Sequence, residues 1–131
     1  MDAALAIGRV LLVIIFIFSG LGKLIDISET AAYIARNGLP FPELLAIGAG
    51  IGELAGGIAI AVGWQTRLAA AGLILFTAVA AFFFHDFWNL PAGAERANQM
   101  MHAMKNLSMI GGLIVLAVAG AGRFSFDGRE R

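Results

Sequence analysis

Apolar residues fall in four long runs along the chain, at 4–25, 44–63, 66–87 and 99–120, and polar residues collect between them. A helix needs about 20 apolar residues to cross a hydrocarbon core, so each run predicts a membrane span. The second run, LLAIGAGIGELAGGIAIAVG, holds a single charge, Glu53, at its midpoint. A carboxylate facing lipid costs at least a few kcal/mol, so Glu53 is expected to point inward, carry a proton or meet a cation. Gly48, Gly52 and Gly56 recur every fourth position. Such a ridge lets another helix approach closely where lipid gives no hydrophobic drive, whether that helix belongs to this chain, a partner or a second copy.

The first run carries Arg9 near one end and Lys23 near the other. Their spacing is close to four helical turns, which puts both on one face with Val13, Phe16 and Gly20. That face is expected to be internal. Lys23 has two readings, an internal partner or a side chain snorkelling to the head groups, whereas Arg9 lies deeper and calls for a buried partner.

Residues 26–42, DISETAAYIARNGLPFP, are too polar to span. Asp26 and Glu29 have capping-box spacing, Gly38 is a natural helix stop, and Pro40 and Pro42 block continuation. A short interfacial helix is predicted, with Ile27, Ala31 and Ile34 on its apolar side, either covering one mouth of the bundle or serving as a connector. Trp64 marks one head-group boundary, and Phe87 with Trp88 marks the other. Residues 89–98 read as a polar loop.

Short connections make the spans antiparallel neighbours, so the predicted fold is all-α: an integral membrane four-helix bundle forming one domain. Arg67, Arg123, Arg129 and Arg131 fall on the side of the termini, against Arg36 and Arg96 on the other, which favours cytoplasmic termini. The N-terminal run is longer than a signal-peptide core and lacks a small-residue cleavage pattern, so it is expected to stay as the first span.

Composition narrows the function. Of 131 residues 60% are hydrophobic and 14% charged, and mean hydropathy is +0.85. Nine basic and nine acidic residues balance, so there is no basic field for nucleic acid. Without cysteine the chain's own side chains offer no disulfide, thiol redox chemistry, thiolate zinc or iron–sulfur ligation. Redox work would need a bound cofactor.

In the last run His102, Lys105, Asn106 and Met109 follow i, i+3, i+4, i+7 spacing and form one stripe. Antiparallel topology gathers Lys23, His85, Asp86, His102, Lys105 and Asn106 at one end of the bundle. At about 1.5 Å rise per residue Lys105 lies roughly 6 Å from mid-bilayer, within side-chain reach of Glu53. Arg9, approaching from the other half, is the competing partner. If Arg9, Lys23 and Lys105 face Glu53 and Asp86 in the interior, one positive charge is left over, which suits an electron-rich ligand such as a carbonyl or oxyanion. A polar network that only fixes helix register is the plainer alternative.

Other motifs carry less. His85, Asp86 and His102 suit a divalent metal by donor type, but two histidines without a repeated spacing make no metal motif. Both sit too near the bundle's end for axial haem ligation. The Gly50-x-Gly52-x-x-Ala55 pattern falls inside an apolar helix, not after a strand, and reads as packing. The Asn106-Leu107-Ser108 sequon falls inside a span.

Taken together, these residues resemble the DoxX family of small four-span membrane proteins over almost the whole chain. The resemblance is carried by Arg9 with the run ending in Ser19, Gly20, Leu21, Gly22 and Lys23, and by Glu53 with Gly56 and Gly57. Phe84 through Trp88, His102, Lys105, Asn106, Leu107, Gly111 and Gly112 complete it. It implies a membrane subunit linked to quinone redox chemistry, working with a partner redox subunit. A quinone's two carbonyls would take hydrogen bonds from Arg9, Lys105 and Asn106, while Glu53 and His102 exchange protons and Phe83, Phe84 or Trp88 flank the ring. Lys23, His85 and Asp86 complete the candidate ligand-binding set. The alternatives are a non-enzymatic membrane binding or scaffold protein, and proton-coupled transport through Glu53. Transport is disfavoured because four spans without an internal repeat leave little machinery for alternating access.

Overall fold

The computed structural model describes residues 1–128, and the regular structure among them is entirely helical. Helix α1 spans Asp2–Ile25, α2 Ile27–Arg36, α3 Pro42–Val62, α4 Thr66–Phe84 and α5 Ala94–Ala119, with a 3-10 turn at Phe87–Asn89. Helices α1, α3, α4 and α5 are each long and apolar enough to cross a membrane, and they form an antiparallel bundle. The protein is therefore an all-α, multi-pass membrane protein.

Several boundaries differ from expectation, α3 among them, which runs from Pro42 to Val62. Helix α4 stops at Phe84, short of 87, and the chain turns through the 3-10 segment. Helix α1 starts two residues earlier than its apolar run. Helix α5 begins at Ala94, inside the stretch read as loop. Glu95 and Gln99 are helix formers one turn apart, joined by a Gln99 Nε2 to Glu95 Oε1 hydrogen bond of 3.0 Å. Apolarity marks where a helix enters lipid, and this one starts above that level.

Helix α2 begins as its sequence dictates. Asp26 caps it by accepting from the Glu29 N–H at 2.9 Å, and Gly38, at φ +76°, ends it while Leu39 N–H reaches back to the Ile34 carbonyl. Ala31 and Ile34 are buried and pack with Ala46, Leu39 and Phe84, so α2 lies over the ends of α3 and α4. It is a cover as well as a connector.

The long helices pair unevenly. On α1 the buried positions are Arg9, Val13, Phe16 and Gly20, the face expected from the Arg9–Lys23 spacing. On α3 they are Ala46, Gly50, Glu53, Gly57 and Ile60, spaced four and three apart. These two faces meet through small residues. A Cβ added at Gly20 would come 2.6 Å from the Leu54 nitrogen and 2.7 Å from the Gly50 oxygen, and Gly57 lies against Ile17. The ridge at Gly48, Gly52 and Gly56 is therefore not the main packing surface. Gly56 is covered by Leu73 of α4, whereas a Cβ built at Gly48 or Gly52 meets nothing within 4 Å.

The Gly20 contact is directly testable. A Gly20→Val variant is expected to lose about 1–3 kcal/mol, because backbone cannot yield as a side-chain tip does. Gly22→Val, with nothing within 4 Å, is the control. Thermal unfolding in detergent should separate them; equal melting would show that α1 and α3 do not meet there.

Packing density changes along the bundle. Val13, Phe16, Ile60, Ala70, Leu73, Leu113 and Leu116, drawn from all four spans, form the core of the half that holds the termini, and Leu12 of α1 closes on Gly112 of α5. The other half, beneath α2, holds a cavity.

Both ends of the described chain lie together, with Arg123 N–H donating to Asp2 Oδ1 at 3.3 Å. The segment after α5 folds back across this end. Asp127 accepts from the Gln65 and Thr66 amides at 2.8 and 2.9 Å, capping α4. Arg67 and Arg123 line a groove at the same end. Arg129 and Arg131, which entered the charge comparison, lie outside the described residues.

Candidate functional site

The half beneath α2 holds a cavity of about 600 Å³, bounded by α1, α3, α4 and α5 and roofed by Thr30, Tyr33 and Ile34 of α2. Its walls are mostly apolar. The polar groups on it come from five elements: Ser19 and Lys23, Thr30 and Tyr33, Glu53, Thr77 with His85, and Lys105 with Asn106.

Glu53 meets Lys23, not Lys105 or Arg9. Lys23 Nζ lies 2.7 Å from Glu53 Oε2 and donates to Ser19 Oγ at 2.6 Å, and Ser19 Oγ donates to the same carboxylate oxygen at 3.3 Å. The reason is directional. Helical side chains tilt toward the helix N-terminus, and for Lys23 near the end of α1 that direction points down into the bundle. Serine one turn back is the signal that a reading of charges alone misses. Both contacts fall on Oε2, so Oε1 has no hydrogen-bond partner among the described residues.

Asn106 is the second group of interest. It is 7% exposed, lines the cavity, and its side-chain amide makes no hydrogen bond among the described residues. Thr77 is satisfied by its own helix, donating to the Leu73 carbonyl at 2.6 Å. The cavity therefore presents an open carboxylate oxygen and an open amide on apolar walls.

The other expected site residues are distributed as follows. His85 lines the cavity, and its Nδ1 bonds Gln99 Oε1 at 2.8 Å. Lys105 lines the cavity but its Nζ lies 3.3 Å from His102 Nδ1; since an ammonium can only donate, that nitrogen is the bare one. His102 itself does not line the cavity. Its ring stacks on His85 at 5.1 Å between centroids and 17° between planes, off the cavity wall. Parallel stacking also leaves the two imidazoles without a common point to ligate, and the described residues hold no cluster of three metal-ligating side chains. Asp86 turns to the connecting loop, accepting from Asn89 Nδ2 at 3.1 Å, and lies outside the cavity. Phe83 and Phe84 line it, with Tyr33 stacked on Phe84 at 5.3 Å. Trp88 packs on Phe82 and Phe87 instead.

Arg9 is at the far end. Its guanidinium donates to the carbonyls of Ala61, Ala121 and Phe124, tying α1 to the end of α3 and to the segment after α5. It is buried, as expected, but it serves backbone and not a ligand. Its partners lie in a tail whose sequence has no helical period, so no pattern announced them.

Comparison with known proteins agrees with this architecture. The DoxX family model matches residues 4–86. The chain is 36% identical to inner membrane protein YphA of Escherichia coli over 125 residues, 95% of this chain and 89% of that protein. It is 35% identical to inner membrane protein YqjF of the same organism over 129 residues, 96% of this chain and 91% of that protein. A shorter match, 32% over 73 residues, is to a surfeit locus protein 4 homolog of Schizosaccharomyces pombe, covering 55% of this chain and 24% of that protein. No solved structure matches. Four apolar spans and these inner-membrane relatives make this a multi-pass protein of the cell membrane, and the chain belongs to the DoxX family.

Proposed function

We propose that the chain is the ligand-binding membrane subunit of a quinone-linked redox system, with the cavity beneath α2 holding the quinone head. The observation that carries this reading is the unpartnered Asn106 amide, buried in an apolar cavity that also holds the Glu53 carboxylate. An amide on an apolar cavity wall with no protein partner gains a hydrogen bond, worth about 0.5–1.5 kcal/mol, when a ligand oxygen meets it. The volume supports it too: about 600 Å³ lies within the usual range for small-molecule sites.

The donor set fits such a head. Asn106 Nδ2 donates to a carbonyl oxygen, and Glu53 Oε1 accepts from a hydroxyl, so oxidised and reduced forms both find a complement. Lys23 and Ser19 hold the carboxylate in place and Phe83 and Phe84 supply apolar wall. When bound, a quinone supplies two-electron, two-proton chemistry, its electrons exchanged with a partner subunit that carries a redox centre. Glu53 is the group that takes or gives a proton at the cavity wall, and Lys23 balances its charge.

The test is binding. Protein in lipid nanodiscs titrated with a tailless benzoquinone and its quinol should bind both, and Asn106→Leu should weaken the quinone roughly tenfold, the worth of one well-made buried hydrogen bond. Unchanged affinity in Asn106→Leu, or no binding by the parent protein, would remove the reading and leave a non-enzymatic membrane scaffold.

A further inference from the structure

The cavity does not end at its polar wall. Leu44, Leu45 and Gly48 on α3 and Phe76, Val79 and Phe83 on α4 all line it. Leu44, Leu45, Val79 and Phe83 are also exposed, by 69, 41, 48 and 42%. On a helical wheel these positions run from the α3–α4 contact, where Leu73 covers Gly56, steadily round to the outer surface. The cavity is therefore open sideways along a seam between α3 and α4. The seam lies within two membrane-spanning helices and all six of its residues are apolar. On the α1–α5 side, by contrast, the lining carries Ser19, Lys105 and Asn106.

We infer that the ligand reaches this cavity from within the bilayer and is a lipid amphiphile, whose single long apolar chain stays in the α3–α4 seam while its head meets Glu53 and Asn106. The inference rests on the reading of the cavity as a quinone-head site and adds the class of ligand and its route. The seam's apolar walls fit an alkyl or isoprenoid chain and offer no partner to a polar one. Gly48 is what leaves room: a Cβ built there meets nothing within 4 Å. A side chain at that position would stand in the seam without disturbing any packed contact.

Two benzoquinone probes separate the possibilities, one bearing a ten-carbon alkyl tail and one with a methyl group in its place, each titrated in nanodiscs. In Gly48→Phe the tailed probe should bind roughly tenfold or more weakly, the scale of forcing a filled space to accommodate a further group, while the methyl probe keeps its parent affinity. A diazirine at the tail's end should label Leu44, Val79 or Phe83. Equal affinities of the tailed probe in parent and variant, equal loss for both probes, or labelling confined to Ile15 and Met109 would overturn the lateral route while leaving the head site standing. Failure of the methyl probe to bind the parent protein at all would instead overturn the head site, and this inference with it.

Discussion

Lys23→Met is expected to lower the unfolding temperature in detergent by on the order of 10 °C, reflecting a loss of about 3 kcal/mol. The substitution strands Glu53, whose side chain is 6% exposed, with a charge and no cation to balance it. Ser19 remains, but one hydroxyl cannot replace an ammonium at 2.7 Å. Breaking one side of a buried pair is the costly change, whereas removing both charges is not. The double variant Lys23→Met, Glu53→Leu should therefore recover most of the lost stability while abolishing any ligand contact made by the carboxylate. Melting of the single variant at the parent temperature would show that the pair does not hold the bundle.

Arg9→Met is expected to have an effect of similar size at the opposite end. Hydrogen bonds from a charged donor are worth about 1.5–3 kcal/mol each, and the guanidinium makes three, to Ala61, Ala121 and Phe124. Water at the membrane surface will re-solvate part of what is freed, so a net loss of about 3 kcal/mol is the expected scale. The local consequence is sharper: the segment after α5 loses its anchor to α1. Limited trypsin digestion followed by mass spectrometry should show cleavage after Arg123 at least tenfold faster, an opening free energy lowered by about 1.4 kcal/mol or more. Arg9→Lys should not rescue it, because one ammonium cannot span three carbonyls as a planar fork does. Quinone binding should be unaffected, which separates this latch from the cavity. An unchanged digestion rate would mean that Asp127 and the backbone contacts to Val62 and Gly63 hold the segment by themselves.

Much of this architecture is legible from period and punctuation. The α1 face of Arg9, Val13, Phe16 and Gly20 follows from 3.6 residues per turn, and the α2 cap and stop follow from Asp26 and Gly38. The gathering of Lys23, Glu53, His85, Lys105 and Asn106 around one cavity follows from antiparallel topology and counting rise. Pairing is what those rules leave open. Whether Glu53 meets Lys23 or Lys105 depends on the rotation of α3 against its neighbours, which Gly20, Gly50 and Gly57 set by letting α1 come close. Spacing alone gave Gly48, Gly52 and Gly56 the same claim. His102 shares a stripe with Lys105 and Asn106, yet it stands about a turn nearer the end of the bundle, stacked on His85 and off the cavity wall. Arg9's partners belong to an aperiodic tail, where neither hydropathy nor spacing carries a signal.

The Arg9 clamp also bears on how the molecule is made. Two of its three acceptors lie 112 and 115 residues further along the chain. The guanidinium thus enters the bilayer long before those carbonyls have been synthesised. Until then, lipid phosphates or water must serve the charge in their place, and the first span can lock only when the segment after α5 has emerged from the ribosome.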